Sequence, residues 1–287
     1  MAENQIKIED VSDTALWVAH YRSLESERSD ALFRDPLAKV LVGERGQKIA
    51  ENMQDIGRYT QWAVVSRTVI IDKFIQSLIA EGVDTILNLG AGLDTRPYRM
   101  NLPSTLNWIE VDYPKIITLK NERLKNENPR CRLRRVTLDL ANEKERTAFL
   151  SEVNQSSKKI LVLTEGVIPY LTQDQVRSLA EALRAQSNIH YWITEYFSPE
   201  VYKYLKRSLR TQKMKNAPFQ FYPDDWTGFF EKSGWSPREI RYSGEIAKAA
   251  AREVPMPWYA ALFMLFASKA IKERLGKMTG YMIFEKR

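Results

Sequence analysis

The apolar positions change their spacing once along the chain, at Gly82. Before it they recur three and four residues apart, the period of one helix face. Residues 15–24 put Trp17, Tyr21 and Leu24 on one side, and residues 61–80 do the same with Ile71, Phe74 and Leu78. Between them Asp35-Pro36 reads as a helix start, with Asp as cap and Pro in the first position. Leu37, Val40 and Leu41 form its apolar side, and Gly43 is expected to end it. After Gly82, short apolar runs alternate with helical segments. The runs lie at 85–89, 108–111, 133–138, 160–163 and 189–194, the helices at 116–125, 143–153 and 173–185. The last helix opens with Thr172 and Gln175, spaced as a capping box. Such alternation is expected of a parallel sheet covered by helices on both faces. Two more strands, at 238–242 and 281–284, follow a helix at 225–232 that turns Trp226, Phe229 and Phe230 inward and stops at Gly234.

The expected organisation is one domain over residues 1–287. It has an N-terminal helical extension or lid (1–82), an α/β core (83–287) and an insertion at about 197–222 over the active-site edge. The insertion carries Tyr202, Tyr204, Phe219, Phe221 and Tyr222 among lysines and arginines. Basic and aromatic interleaving can hold single-stranded nucleic acid, but a lid over a small hydrophobic or acidic molecule is the simpler expectation. The most apolar stretch, 254–267, is shorter than the ~20 residues of a membrane span. It is expected to be a core helix, with an interfacial or lid helix as the alternative.

Composition alters this picture little. The net charge is +7 and the pI about 9.3, yet bases and acids are interleaved, which describes a solvated surface. Even the arginine-rich run 130–135 alternates as a half-solvated strand would. Cys131 is the only cysteine, so neither an intrachain disulfide nor a thiolate zinc cluster is expected. The opening residues, MAENQIKIED, are polar and acidic rather than a secretory signal. A cytoplasmic protein without a resident metal is the expectation.

Chemistry concentrates at the strand ends. The first strand closes on Asn88-Leu89-Gly90-Ala91-Gly92-Leu93-Asp94-Thr95. Glycines at a strand-to-helix turn let a ligand approach the backbone. The second strand closes on Glu110-Val111-Asp112, where a carboxylate can accept both hydroxyls of a ribose. A nucleoside-containing ligand is thus expected across these ends. A dinucleotide fingerprint wants Gly or Ala at position 95; Thr95, preceded by Asp94, suits a cationic ligand better than a pyrophosphate. The third and fourth strands end in Asp139-Leu140 and Thr164-Glu165-Gly166. Asp139 can accept from an adenine amino group, Leu140 can pack on the ring, and Glu165 can hold an ammonium or face an acceptor. For each acid the alternative is a helix cap or a local ion pair. Arg67 falls on the apolar stripe of its helix and needs an anion. That anion is either an internal partner, Asp72 or Asp94, or a bound carboxylate or phosphate. S-adenosyl-L-methionine, with its nucleoside, sulfonium, ammonium and carboxylate, matches these charges.

These residues resemble the leucine carboxyl methyltransferase-like family, in its bacterial O-methyltransferase branch. The resemblance rests on the run Arg28-Ser29-Asp30-Ala31-Leu32-Phe33-Arg34-Asp35-Pro36-Leu37-Ala38, on Ser66-Arg67-Thr68 with Asp72, and on Gly90 through Arg96. Glu110-Val111-Asp112-Tyr113-Pro114 with Lys120 and the run Thr164 through Leu171 complete it, in the family's order over residues 14–200. It implies a Rossmann-like class I methyltransferase fold, a seven-stranded sheet ending in an antiparallel hairpin. It implies that S-adenosyl-L-methionine is the cofactor, with Arg67 on its carboxylate, Gly90 and Gly92 along it and Asp112 on the ribose. Asp139 and Leu140 then frame the adenine, and Glu165 sits by the methionine moiety.

An O-methyltransferase for a carboxylate or hydroxyl of a small molecule is the expected function. Two rivals are a nicotinamide-dependent oxidoreductase, against which Thr95 speaks, and a binding module that holds cofactor without turnover. Candidates to touch the acceptor are Tyr170, Tyr196 and His20. His190, at the start of the fifth strand, lies at the wrong end of the sheet. With two histidines in the chain, either a carboxylate acceptor, which needs no base, or a base of another residue type is favoured.

Overall fold

The structure, a computed structural model, describes residues 11–202, 215–252 and 258–287. Three helices come first: α1 (Val11–Ser26), α2 (Pro36–Asn52) and α3 (Gln54–Ala80). Asp35 caps α2 as expected, its Oδ1 accepting from the Ala38 N–H at 3.1 Å. Gly43 ends the first helical segment as expected: its φ of 57° and ψ of −177° are not helical, and a second segment begins beyond this kink. Leu41 and Val42 before it and Ile49 and Ala50 after it are buried in one cluster, so both segments pack on the same core.

The core follows as β1 (Thr85–Leu89), α4 (Arg96–Arg99), β2 (Asn107–Asp112), α5 (Pro114–Arg123), β3 (Arg132–Thr137), α6 (Glu143–Ser156) and β4 (Ile160–Leu163). A short 3₁₀ turn (Ile168–Tyr170) leads to α7 (Gln173–Arg184) and β5 (Ile189–Phe197), and Thr172 and Gln175 form the expected capping box. The chain ends in α8 (Trp226–Glu231), β6 (Trp235–Tyr242), α9 (Ser243–Ala249), α10 (Trp258–Phe266), α11 (Lys269–Gly276) and β7 (Thr279–Lys286).

The seven strands form one sheet in the order β3-β2-β1-β4-β5-β7-β6. The first five run parallel; β7 is antiparallel to both β5 and β6. This is the Rossmann-like class I methyltransferase architecture; β6 and β7 pair antiparallel, but residues 243–278, carrying α9, α10 and α11, join them, so the expected closing hairpin is replaced by a long helical connection. β1 and β4 are buried along their whole length, as continuous apolar runs between helices should be. One core fills the space between the sheet and α6, α7 and α8. A second lies between the sheet and α3, around Ile71, Phe74 and Leu78. The N-terminal helices join through a third cluster, around Trp17, Leu41 and Leu93. Strand order reverses between β1 and β4, so a crevice opens above their carboxyl ends, where ligands bind in such sheets.

The stretch 254–267 departs from expectation. Its described part, α10, is not in the core: Leu262, Phe263, Leu265 and Phe266 are exposed. Cys131 is buried, and burial raises its thiol to about 11. The run 130–135 becomes the edge strand β3, half solvated, but Arg135 turns in to Glu110 at 2.9 Å.

Candidate active site

A cavity of about 440 Å³ sits in the crevice. Arg67, Gly90, Gly92, Asp94, Asp112, Asp139, Leu140 and Glu165 all line it, and so does Tyr170. The β1–α4 loop forms its floor. Gly90 has φ +68°, and a Cβ there would lie 2.4 Å from Val167 Cγ2, so the turn both needs and leaves room only for glycine. The next glycine donates its N–H to Asp112 Oδ2 at 2.6 Å, and Tyr113 N–H meets Oδ1 at 2.7 Å. These two bonds fix the Asp112 carboxylate at the end of β2. A carboxylate has about four acceptor sites, so the two bonds leave room for a diol. Burial raises this carboxyl somewhat, and the two N–H groups oppose it. Glu110, in the same strand, is turned away from the cavity. It is fully buried against Lys120 Nζ at 2.8 Å and Arg135 at 2.9 Å.

Charge in the cavity is organised by a residue that sequence reasoning passed over. Arg96 is 2% exposed. Its Nη1 meets Asp94 Oδ2 at 2.9 Å and Glu165 Oε2 at 2.7 Å, and its Nε meets Asp72 Oδ1 at 2.7 Å. Asp72 also takes Arg99 at 2.6 and 2.9 Å. Burial works against the Asp94 carboxylate, but Arg96 and Lys120 outweigh it and hold it far below the usual range. The same contest holds Glu165 low through Arg96 and Arg67. Asp94 is therefore an internally matched acid, further fixed by Asn88 Nδ2 at 3.0 Å.

Arg67 lies where its helix stripe placed it, buried, but its partner is neither Asp72 nor Asp94. Both of those are taken by Arg96. Arg67 Nε lies 2.9 Å from Glu165 Oε1 without hydrogen-bond geometry, which leaves that N–H unsatisfied. Asp139 does not cap α6, a task that falls to Asn142. Its Oδ1 accepts the Ala141 N–H at 2.9 Å, and the side chain is exposed at the cavity's edge beside the half-buried Leu140.

Two acceptor candidates fail on geometry. Tyr196 does not line the cavity: alternate side chains of a strand face opposite ways, so Glu195 and Phe197 point in while Tyr196 packs on Tyr242 at 5.9 Å. His20 also lies outside. α1 presents Ala15, Trp17 and Val18 to the cavity and turns His20 toward Glu51 and Glu27; burial lowers its pKa. His190 is exposed at the start of β5.

A further acid in the cavity wall is Glu195, 2% exposed. Its Oε1 accepts the Gly166 N–H, and Oε2 accepts the Thr194 hydroxyl at 3.0 Å. No Lys or Arg among the described residues lies at ion-pair distance, and burial lifts the carboxyl to about 7. Tyr281 faces it across the β5–β7 ladder, its hydroxyl pushed up by burial. The sequence did hold a signal, an acid at the carboxyl end of the fifth strand, like Asp112 on the second.

The N-terminal extension and the insertion close the cavity. Arg22 bonds both Asp35 Oδ2, at 2.8 Å, and the Leu93 carbonyl, tying α1 to the floor loop. The described halves of the insertion contribute Val201, Phe219 and Gln220 to the wall. Gln220 clasps the 3₁₀ turn through Pro169 O at 2.7 Å and Tyr170 O at 2.8 Å. Tyr204 lies outside the described residues.

The fold is that of the class I methyltransferases. Two solved structures share the fold. A duf574 family protein from Streptomyces avermitilis has a TM-score of 0.58 at 12% identity, over 94% of this chain and 97% of its own. A protein titled a methyltransferase from Thermobifida fusca has a TM-score of 0.53 at 13% identity, over 94% of each chain. The leucine carboxyl methyltransferase family matches residues 15–184, and the chain belongs to that family. A Streptomyces avermitilis protein named as an S-adenosyl-L-methionine-dependent methyltransferase is 32% identical over 182 residues, 61% of this chain and 64% of that protein. A Frankia alni protein of the same name is 26% identical over 277 residues, 89% of this chain and 94% of its own. The first of these matches thus spans less than two thirds of the relative's length. The family's cofactor is S-adenosyl-L-methionine, and the residues present fit it: a glycine cradle, a carboxylate with acceptor sites to spare for a diol, and the Arg67 guanidinium in the cavity wall.

Proposed function

We propose that the protein is an S-adenosyl-L-methionine-dependent O-methyltransferase whose acceptor is a hydroxyl of a small, largely apolar molecule. The observation that carries this reading is Glu195, a buried carboxyl without an ion-pair partner among the described residues, in the cavity that holds the glycine loop and Asp112.

Bound in this cavity, the cofactor supplies a methyl group already activated by sulfonium. Arg67 holds its carboxylate, Asp112 its ribose, and Asp139 with Leu140 its adenine; Glu165 lies by its ammonium. Tyr170, Phe197, Val201 and Phe219 form the apolar wall against which an acceptor is aligned. The walls exclude water and fix the in-line approach, the main demands of methyl transfer. An alcohol or phenol must also lose a proton. With the methyl group supplied by bound cofactor, the Glu195 carboxylate would take the proton that the acceptor O–H loses on becoming an ether. A carboxyl titrating near neutrality is matched to that task. A carboxylate acceptor would need no base and would add a further negative charge beside Glu165 and Glu195.

Calorimetry with S-adenosyl-L-methionine, its demethylated product and NAD, followed by a methyl-label screen of phenols, alcohols and carboxylic acids, tests the proposal. Binding of the first two ligands without NAD is expected, and ether products whose rate of formation rises through about pH 7. Ester products alone, or a flat pH profile, would overturn the hydroxyl assignment. Binding of NAD alone would overturn the whole reading.

A further inference from the structure

We propose that α10 (Trp258–Phe266) is an interfacial anchor by which the protein docks on an anionic lipid bilayer. This inference does not depend on the methyl-transfer reading.

Large apolar side chains exposed among the described residues are few, and most sit in this one helix. Leu262 is 49% exposed, Phe263 55%, Leu265 73% and Phe266 83%. At about 100° per residue these four fall within an arc of roughly 160°. Met264, half-buried, falls opposite them. Over residues 262–266, whose side chains are described, the helix therefore presents an apolar face outward rather than a scatter of single residues. Patches of that kind mark interaction sites. No charged residue occurs in Trp258–Phe266.

The chain that follows identifies the partner's charge. Lys269, Lys272, Arg274 and Lys277 are all exposed, against a single acid, Glu273. An apolar face bordered by bases is the pattern of a helix lying in the headgroup boundary of an acidic membrane. Nine residues cover about 14 Å, half a bilayer core, so such a helix lies in the interface and does not span it. Taking 150–250 Å² for each large side chain, the exposed face offers roughly 500 Å². That is short of the ~800 Å² per partner of a stable protein interface, which disfavours a second copy as the occupant. The patch also adjoins the cavity: α11 runs directly into Met278, Thr279 and Gly280, which line it. A lipophilic molecule leaving the bilayer would meet the cavity from this side.

Flotation of the full chain with vesicles tests the proposal. One set is phosphatidylcholine, the other phosphatidylcholine with about a third phosphatidylglycerol. Binding to the anionic set is expected to be at least roughly tenfold tighter than to the neutral set, and to weaken as salt is raised. Phe263→Asp with Phe266→Asp should abolish flotation while leaving the thermal midpoint and calorimetric cofactor binding unchanged. Lys272→Glu with Arg274→Glu should remove the preference for anionic vesicles. The proposal is overturned if the full chain does not float. It is overturned equally if both variants float like the parent, or if the Phe263/Phe266 pair changes only the sedimentation mass, which would assign the face to self-association.

Discussion

Replacing Glu195 by glutamine should make the protein more stable at pH 8 than at pH 5 relative to the parent, and the size follows from the burial of this one carboxyl. In the unfolded chain the group titrates near the ordinary glutamate value of 4.5; burial in the folded cavity raises it to about 7. Between these values the folded state holds a proton that the unfolded state has released. The parent's stability therefore falls as pH rises through that window and is flat, for this group, above it. Each unit of pKa difference corresponds to about 1.4 kcal/mol, so the parent loses about 3 kcal/mol that the glutamine variant does not. Gln can still accept the Gly166 N–H and contact the Thr194 hydroxyl, so other contributions enter as a constant offset. At roughly 2 °C of Tm per kcal/mol for a chain of this size, the Tm gap between variant and parent should open by about 6 °C. Fluorimetric melting of both proteins at half-unit pH steps measures it. A gap that stays constant from pH 4.5 to pH 8 would show that Glu195 is not held in a dry, unpartnered site, and the argument for it as proton acceptor would go with it.

Three further substitutions probe separate parts of the architecture. Asp112→Ala should weaken binding of the demethylated cofactor by about 1–3 kcal/mol through loss of charged hydrogen bonds; unchanged calorimetric affinity would remove Asp112 from the site. Arg67→Ala should weaken the full cofactor but not an analogue lacking the carboxylate, and equal losses for both would make Arg67 structural. Lys120→Met should lower stability by about 2–3 kcal/mol in urea, less than the 3–5 of a buried pair broken outright, because Glu110 keeps Arg135 at 2.9 Å. An unchanged urea midpoint would mean that the buried Lys120–Glu110 contact carries no net stability.

Much of the scaffold was readable in advance because its signals are local. β1 and β4 coincide with the apolar runs residue for residue, since strands buried on both faces need nothing else to mark them. The cap at Asp35, the box at Thr172 and the crevice over Gly90 and Asp112 were likewise encoded within a few positions. What escaped depends on parts of the chain far apart in sequence. The partner of Arg67 is Glu165 because Arg96, brought in from α4, has already taken Asp72 and Asp94. Tyr196 and Glu195 were distinguishable only by which face of β5 meets the cavity, a parity set by the whole sheet. The apolar run at 254–267 shows the opposite limit. Hydrophobicity alone does not say whether a helix is buried by its own chain, and here Leu262, Phe263, Leu265 and Phe266 are exposed among the described residues.

The distribution of guanidiniums explains why the site contains two kinds of acid. Arg96 and Arg67 keep Asp94 and Glu165 ionised whatever the ligand, so these acids define fixed polarity around the floor of the cavity. Glu195 is coupled to that network more weakly: it lies one strand further along the sheet, hydrogen-bonded to Gly166 N–H and Thr194, and Arg67 acts on it only beyond ion-pair distance, with no closer Lys or Arg among the described residues. Its charge is therefore conditional. A sulfonium in the cavity favours the ionised form and prepares it to take a proton. When a hydroxyl acceptor is methylated, the positive charge on sulfur and the negative charge on Glu195 vanish together. Opposite charges that disappear in a water-poor cavity leave no solvation debt behind. A permanently paired carboxylate such as Asp94 would not accept the proton, and an exposed one would titrate too low to hold it. The same buried carboxyl, hydrogen-bonded but without an ion-pair partner among the described residues, costs the fold stability at neutral pH and is in this way suited to the reaction proposed for it.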